Sequence, residues 1–305
     1  MTGRRQRKIL VLGRDGQIGR ELMRAAAPPG LAVEGLSRED LDITRADAVA
    51  RVLGGAGCAL VVNAAAYTQV DRAESEPEAA FAVNGDGAAN LAATCRTLGV
   101  PLLHISTDYV FDGEKAEPYR ESDPVRPLGV YGASKEAGER AVRDRLDRHV
   151  ILRTAWVFSP FRHNFVKTML RLGREREEVR VVDDQTGCPT AAADVARAIL
   201  AVAGRLLEDG FDGWGTYHYC GAGQTTWHGF ARAVFESAAA RGRPAPRLTA
   251  ISTADFPTPA RRPKSSVLDC GRFAAVFGVA PQPWRDGVEA CVAELLEGER
   301  EDAAR

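Results

Sequence analysis

Short apolar runs alternate with longer stretches of helical periodicity through the first half of the chain. Runs of this length with glycine or proline at their borders are typical of parallel strands buried on both faces. They predict strands at residues 9–12, 32–36, 59–62, 101–105 and 150–152. The stretches between them predict helices at residues 17–27, 46–53, 77–98 and 131–146. This alternation predicts an α/β fold with a doubly wound parallel sheet and right-handed crossovers.

The alternation becomes irregular after Arg153. Periodicity there predicts helices at 163–173, 191–207 and 286–297 and a strand at 179–182. Residues 244–265 contain five prolines and predict extended loops, and the charged tail from residue 297 is expected to fray. We therefore predict a cofactor domain of residues 1–155 plus about 191–215. A smaller C-terminal substrate-binding lobe would take residues 156–190 and 216–305.

Composition excludes several classes of function. The 305 residues carry a formal net charge of −1, whereas nucleic-acid-binding domains are usually basic. No apolar run approaches the ~20 residues of a membrane span, and the run after the basic N-terminus is too short for a secretory signal. The six cysteines show no paired metal-ligand spacing and are expected to be free thiols. The sequence thus predicts a cytoplasmic protein without a nucleic-acid or membrane partner.

A glycine-rich turn follows the first predicted strand and opens the first helix. Its residues are Gly13, Gly16 and Gly19, with Gln17 and Ile18 between the last two. Glycines at this place allow a tight turn and let the backbone approach a pyrophosphate, which the N–H groups of the helix N-terminus bind. The turn predicts a Rossmann-like dinucleotide site. Ala64, Ala65 and Ala66 follow the third strand, where small residues also let the backbone approach the cofactor.

The end of the second strand discriminates between the two nicotinamide cofactors. An acidic residue there favours NAD, but this chain has Ser37 and Arg38, which suit a 2′-phosphate. The sequence therefore predicts NADPH, with NADH left open. Asp42 and Ile43 are expected to border the adenine.

Tyr131 and Lys135 form a YxxxK pair on a predicted helix, where a spacing of four places both side chains on one face. Reduction of a ketone needs a hydride from the nicotinamide and a proton for the developing alkoxide. A tyrosine can donate that proton, and a nearby ammonium group is expected to lower its pKa. Thr107 ends the fourth strand and is expected to hydrogen-bond both the substrate carbonyl and Tyr131.

The chain resembles the dTDP-4-dehydrorhamnose reductase family of the extended short-chain dehydrogenase/reductases over nearly its whole length. The segments that carry the resemblance are GRDGQIGRE, VVNAAAYTQVDRAESEPE, STDYVFDG, VYGASKEAGE, RTAWVFSP, NFVKTMLR, DDQTGCPT, TTWHGFA and FPTPARRPKSSVLD. The resemblance implies a catalytic triad of Thr107, Tyr131 and Lys135. It also implies that the glycine turn and Ala64–Ala66 hold the cofactor together with Tyr131 and Lys135.

The substrate implied by this resemblance is a dTDP-linked 4-keto-6-deoxysugar. The substrate-binding residues that it suggests are Val70, Asp71, Thr107, Trp156, Asn164 and Arg262. Arg262 would neutralise the diphosphate.

Some members of the family are magnesium-dependent dimers with glutamate ligands. Glu21 and Glu294 match two of those glutamates, but Ala193 stands in the third position, so no metal site is predicted. A homodimer is left open.

A nucleotide-sugar dehydratase of the superfamily would follow its strand-end threonine with Asp and Glu, whereas this chain has Asp108 and Tyr109, which argues against elimination. Two other functions remain open at this point. A reductase of another keto sugar, as in an antibiotic pathway, would share every motif quoted above. A regulatory subunit like the β subunit of methionine adenosyltransferase would bind the cofactor without needing an intact triad.

Overall fold

The computed structural model describes residues 6–304, with side chains described up to residue 299. Its strands are β1 (Arg7–Leu12), β2 (Leu31–Leu36), β3 (Leu60–Asn63), β4 (Leu102–Thr107), β5 (His149–Thr154), β6 (Val157–Phe158), β7 (Glu178–Val182), β8 (Thr186–Gly187), β9 (Thr190–Ala191), β10 (Gly215–His218), β11 (Thr225–Thr226) and β12 (Arg247–Ile251). Its α-helices are α1 (Gln17–Arg24), α2 (Ala46–Ala56), α3 (Val70–Ala73), α4 (Pro77–Phe81), α5 (Gly87–Leu98), α6 (Val130–Arg145), α7 (Phe165–Glu175), α8 (Ala192–Leu206), α9 (Trp227–Ala239), α10 (Gly271–Phe277) and α11 (Trp284–Ala304). A π-helical segment, Ala82–Asp86, joins α4 to α5.

Six parallel strands form the main sheet in the order β10-β5-β4-β3-β1-β2. The order reverses at β1, so the chain winds outward in both directions from the boundary of β1 and β3. In open sheets of this kind, ligands bind beyond the carboxyl ends of the strands at such a reversal. The prediction of a Rossmann-like sheet is confirmed, and the reversal lies beside the predicted glycine turn.

Helices cover both faces of this sheet. One face packs on α1, α8 and α10 through side chains such as Leu22, Ile199 and Phe273. The other face packs on α2, α5 and α6 through side chains such as Leu53 and Leu91. Both faces of the sheet are therefore buried, which explains why the strand sequences are continuously apolar rather than alternating between apolar and polar residues.

A second core belongs to the smaller lobe. It lies between α7, α9, α11 and the parallel pair β7–β12, and Phe230, with no exposed surface, is in its middle. No helix among residues 6–304 has the length and apolar character that crossing a membrane requires.

The structure corrects several predicted elements. The first helix ends at Arg24 rather than at residue 27, because Ala25 is already extended ahead of Pro28. The proline-rich stretch 244–265 contains β12, which pairs with β7. The tail expected to fray continues α11 as far as Ala304, and residue 305 lies outside the described residues.

The main sheet also extends past the predicted domain boundary. Its outermost strand, β10, runs to His218 and pairs with β5, whereas the sequence assigned residues from 216 onward to the smaller lobe. Helix α10, from the same predicted lobe, packs on the sheet as well. The division into domains stays a prediction apart from these two segments.

Candidate active site

The glycine turn between β1 and α1 has the geometry of a phosphate cradle. Gly13 has a φ of +82°, a conformation that side chains other than glycine rarely adopt. A Cβ at Gly13 would lie 2.7 Å from the backbone nitrogen of Ala65, and one at Gly19 would collide with the Gly13 carbonyl oxygen. The turn and the Ala64–Ala66 loop therefore lie directly against each other. Only small residues leave this backbone surface open to a dinucleotide, so the residues present fit that cofactor.

Asn63 fixes the Ala64–Ala66 loop, which forms the other side of the cradle. Its side-chain oxygen accepts from the Ala65 N–H at 3.1 Å, and its amide nitrogen lies 3.0 Å from Nδ1 of the buried His104. The Ala64 N–H donates to the Leu12 carbonyl at 2.9 Å. These bonds tie the Ala64–Ala66 loop to the end of β1 and, through Asn63, to His104 of β4.

The two residues predicted to bind the 2′-phosphate differ in how firmly their side chains are already bound within the protein. Ser37 is buried, and its hydroxyl donates to Asp40 at 2.8 Å. Arg38 is 83% exposed at its side chain, and its guanidinium group lies 4.0 Å from the Asp42 carboxylate. Its guanidinium group is therefore free to reach a phosphate, whereas the Ser37 hydroxyl would first have to leave Asp40. Asp42 accepts from Thr44, and Ile43 is buried in the core beneath the sheet edge.

Helix α6 carries the predicted proton donor. The helix begins after Gly129, where the Val130 N–H donates to the Glu74 side chain at 2.8 Å. This bond ties the first turn of α6 to the segment after α3. Tyr131, on that first turn, is half-buried, and its ring meets that of Tyr109 edge to face with centroids 5.9 Å apart.

Thr107 and Asp108 face this tyrosine from the end of β4. Thr107 and Asp108 lie close enough to Tyr131 to act on the pKa of its phenol, which Thr107 lowers and the charge of Asp108 raises. The Thr107 hydroxyl donates to Oδ1 of Asp108 at 2.9 Å and accepts from the Tyr109 N–H at 3.2 Å. Thr107 and Tyr131 are thus brought together as predicted, and Asp108 completes the cluster.

Lys135 lies one turn after Tyr131 and is 2% exposed. Its ammonium group donates to the Ile105 carbonyl at 2.7 Å. Burial lowers the pKa of Lys135 to about 8, and the charge of Glu139 acts in the opposite direction. Burial also raises the pKa of Tyr131 to about 12. The predicted lowering of the Tyr131 pKa is therefore not seen, since desolvation of the phenolate dominates. The tyrosine stays a protonated phenol, which is the form that donates a proton.

Glu139 continues the same helical face and is fully buried. It forms a two-pronged pair with Arg153, at 2.8 Å from Nε and 2.7 Å from Nη2, and Arg143 adds a bond at 3.0 Å. Arg153 is itself 3% exposed. Despite burial, the hydrogen bonds and charge of Arg153 lower the pKa of Glu139 to about 2. An ionised carboxylate thus lies one turn below Lys135.

The predicted substrate residues Asp71 and Arg262 pair with each other. Arg262 donates to both carboxylate oxygens of Asp71, at 3.0 and 2.8 Å, so α3 and the loop after β12 are joined. Neighbours of the pair, Val70 and Arg261, line a shallow recess together with residues that include Glu74 and Tyr131. For Arg262 to bind a diphosphate, the phosphate would have to share or replace Asp71.

Trp156 has a strained backbone in this region. Its φ of 47° is uncommon for a residue other than glycine, and such strain concentrates at functional sites. Its ring stacks on Trp227 with centroids 3.6 Å apart, and Trp227 donates from Nε1 to Gln185 at 3.1 Å. Both tryptophans are half-buried. They form an aromatic surface that a flat ligand ring can cover.

Asn164 is hydrogen-bonded to α7 and to the first turn of α1. It is the N-cap of α7, accepting from the Lys167 N–H at 3.2 Å. Its amide group donates to Gln17 at 3.0 Å and to the Ser159 carbonyl at 2.7 Å. The structure thus connects Asn164 to the cofactor cradle through Gln17, and its place in substrate binding stays a prediction.

The residues that match the family's magnesium ligands do not fit a divalent cation here. Arg24 donates to Glu294 at 2.7 Å and to Glu21, so a guanidinium group already neutralises both carboxylates. Ala193, on α8, offers no ligand atom. A hard cation needs several oxygen ligands, and this set does not supply them.

Sequence reasoning missed three residues of the site. Trp227 and Glu74 are positioned by contacts between distant segments, which no local spacing reveals. Glu139 was within reach of the sequence, because it follows Lys135 by four residues and so shares its helical face.

A parallel sheet with this cradle and this Thr-Tyr-Lys cluster defines a nicotinamide-dependent oxidoreductase of the short-chain dehydrogenase/reductase class. Within that class, residues 7–297 match the model of one family, described as the RmlD substrate binding domain. The chain belongs to this family, and the predicted kinship with the dTDP-4-dehydrorhamnose reductases is confirmed.

Relatives align with nearly the whole chain. The dTDP-4-dehydrorhamnose reductase of Burkholderia thailandensis is 46% identical and covers 95% of this chain and 99% of its own length. That of Escherichia coli K12 is 41% identical over 94% of this chain and 98% of its own. A solved structure of the Bacillus anthracis enzyme, in complex with NADP, superposes with a TM-score of 0.87 at 35% identity over 95% and 99% of the two chains. The similarity therefore includes the substrate lobe as well as the cofactor domain.

Proposed function

We propose that the protein reduces the 4-keto group of a dTDP-linked 6-deoxysugar with NADPH, forming dTDP-rhamnose from dTDP-4-dehydrorhamnose. The observation that carries this proposal is the meeting of Thr107, Tyr131 and Lys135 beside the phosphate cradle. It is supported by the near-complete alignment with reductases of that name. An intact cluster is more than a regulatory cofactor-binding subunit needs.

Each residue of the cluster would have its own role in this reduction. When bound, NADPH supplies the hydride that reduces the carbonyl carbon. Tyr131, a phenol with its pKa held at about 12, donates its proton to the sugar oxygen as negative charge develops there. Thr107 orients that oxygen and the phenol, and Lys135 supplies positive charge from one turn away. The Trp156–Trp227 surface and the loop of Arg262 would hold the nucleotide sugar over this cluster.

The activity is tested by following nicotinamide absorbance with NADPH and freshly made dTDP-4-keto-6-deoxyglucose, with and without the 3,5-epimerase that precedes this reduction. Turnover that requires the epimerase is the expected result. Turnover without it would point to a reductase of another keto sugar. Tight NADPH binding with no turnover in either case would contradict a catalytic function and favour a regulatory one.

The preference for NADPH is expected to depend on Arg38. Because its guanidinium group is exposed and weakly paired, Arg38→Ala should remove one charge-assisted hydrogen bond to the 2′-phosphate. The ratio of kcat/KM for NADPH to that for NADH is then expected to fall about 10- to 100-fold. Arg45→Ala is the matched control, since Arg45 is also exposed and pairs with Asp47 at 3.4 Å. An unchanged ratio in Arg38→Ala would assign the phosphate to another residue.

Two finer expectations accompany this function. We propose that the protein acts in the cytoplasm, where the nucleotide sugar and a reduced nicotinamide pool are found together. A homodimer also stays a prediction, which sedimentation of the purified protein would test.

A further inference from the structure

The N-terminus of α6 is capped by a residue from another part of the chain. The first N–H groups of a helix have no partners inside it, and a Ser, Thr, Asp or Asn at the N-cap position usually accepts from them. The N-cap of α6 is Gly129, which has no side chain to do so. Instead, Oε1 of Glu74 accepts from the Val130 N–H at 2.8 Å across a separation of 56 residues. A carboxylate also suits the positive end of the helix dipole.

Gly129 leaves the room that this carboxylate occupies. Its backbone is ordinary extended chain, with a φ of −143°, so its conformation does not require glycine. The space around it does, because a Cβ at Gly129 would lie 2.5 Å from Oε1 of Glu74. Any residue with a capping side chain of its own would therefore displace Glu74. A local cap and the cap from Glu74 exclude each other, and this chain has the second.

A second close approach fixes the same turn of α6. A Cβ at Gly132 would collide with the carbonyl oxygen of Tyr109, so the backbone after β4 lies directly against the helix. Tyr131 lies between Gly129 and Gly132 in the chain, and its ring meets the ring of Tyr109 edge to face at 5.9 Å. The residue that carries the phenol is thus fixed on one side by Glu74 and on the other by the turn after β4.

The first turn of a helix ordinarily frays, whereas a proton donor must stay in place. A displacement of about 1 Å at a reacting group can cost about 10²-fold in rate. We propose that Glu74 is a positioning residue, which holds the phenol of Tyr131 in its reactive position by capping α6. Glu74 directly follows α3, whose Asp71 pairs with Arg262 at 2.8 Å, so α3 also sets the phenol relative to the loop of Arg262. This inference rests on the proposed function of the same site.

Steady-state kinetics of two Glu74 variants test the proposal. Glu74→Ala removes the acceptor of the Val130 N–H, so kcat should fall about 10- to 100-fold. The KM for NADPH should stay, because the phosphate cradle lies on other elements. Glu74→Gln keeps an acceptor oxygen at the same reach and should retain kcat within about threefold. Glu78→Ala is the matched control, since it removes an exposed carboxylate from the neighbouring helix α4, and it should keep kcat.

A double-mutant cycle with Gly129 tests the capping contact itself. Gly129→Ala places a methyl group against the Glu74 carboxylate and should lower kcat much as Glu74→Ala does. In the double variant the colliding carboxylate is gone, so kcat should match that of Glu74→Ala within about twofold. Two independent effects would instead multiply, and a double variant that showed the product of the two losses would contradict the capping contact.

Carbon-13 labelling of the tyrosine ring at Cζ provides a readout that needs no turnover. The signal of Tyr131 is identified as the one that Tyr131→Phe removes. It should move or broaden in Glu74→Ala and keep its position in Glu74→Gln and Glu78→Ala. The proposal is overturned if Glu74→Ala leaves both this signal and kcat unchanged, or if Glu74→Gln loses as much kcat as Glu74→Ala. Failure of the unsubstituted enzyme to turn over would contradict the proposed function, and the Tyr131 signal would still decide whether Glu74 positions the phenol.

Discussion

Replacing Tyr131 with phenylalanine is expected to lower kcat by about 10²- to 10⁴-fold, the usual contribution of a positioned proton donor. The change removes one oxygen atom from a half-buried ring, so the packing against Tyr109 stays. The phosphate cradle lies on other elements, and NADPH affinity is therefore expected to change little. Steady-state kinetics with NADPH and the keto sugar measure the first effect, and fluorescence titration with NADPH measures the second.

Tyr217→Phe is the matched control for this substitution. Tyr217 is fully buried, and its hydroxyl donates to the Gly213 carbonyl at 2.6 Å, on the edge strand β10 that lies two strands from Thr107. Its loss should cost about 1 kcal/mol of unfolding free energy and leave kcat unchanged. If Tyr131→Phe retained most of the turnover, another group would have to deliver the proton.

The sequence predicted the parallel sheet because its strands are buried on both faces and therefore apolar throughout. The same reasoning missed β12, since local proline content outweighed a pairing with β7 that is about 70 residues away in the chain. It also assigned residues from 216 onward to the smaller lobe and predicted no strand there, because the four-residue strand β10 carries little pattern of its own. Local propensity yields to tertiary pairing where an element is short.

The candidate site likewise contains residues that local spacing predicts and residues that only tertiary contacts bring together. The cradle and the Tyr131–Lys135 pair lie within single turns and helices, where spacing alone places side chains together. The pair of Asp71 and Arg262 joins residues 191 positions apart, and the stack of Trp156 on Trp227 crosses the smaller lobe. Nor does spacing give pKa directions: a lowered pKa was predicted for Tyr131, but burial raises it, which only the folded structure shows.

Glu139→Gln is expected to lower the free energy of unfolding by about 3 to 5 kcal/mol near neutral pH. Glu139 and Arg153 are both buried, and removing one charge of such a pair leaves the other without compensation. The substitution should also lower the pKa of Lys135, because the charge of Glu139 raises it. The alkaline fall in kcat would then begin at a lower pH. Chemical denaturation and the pH profile of kcat measure the two effects.

The stability effect has a definite pH dependence. The pKa of Glu139 lies at about 2 in the folded protein and near the ordinary value of 4.5 when unfolded, so its contribution is complete above the unfolded value. It is lost as the pH falls toward 2, so the unfolding free energies of the two proteins should converge between about pH 4.5 and about pH 2. Glu136→Gln is the control, since Glu136 lies on the same helix and is 3.7 Å from Arg143. It should cost at most about 1 kcal/mol. A loss for Glu139→Gln no larger than this control would show that the pair with Arg153 does not stabilise the sheet against α6.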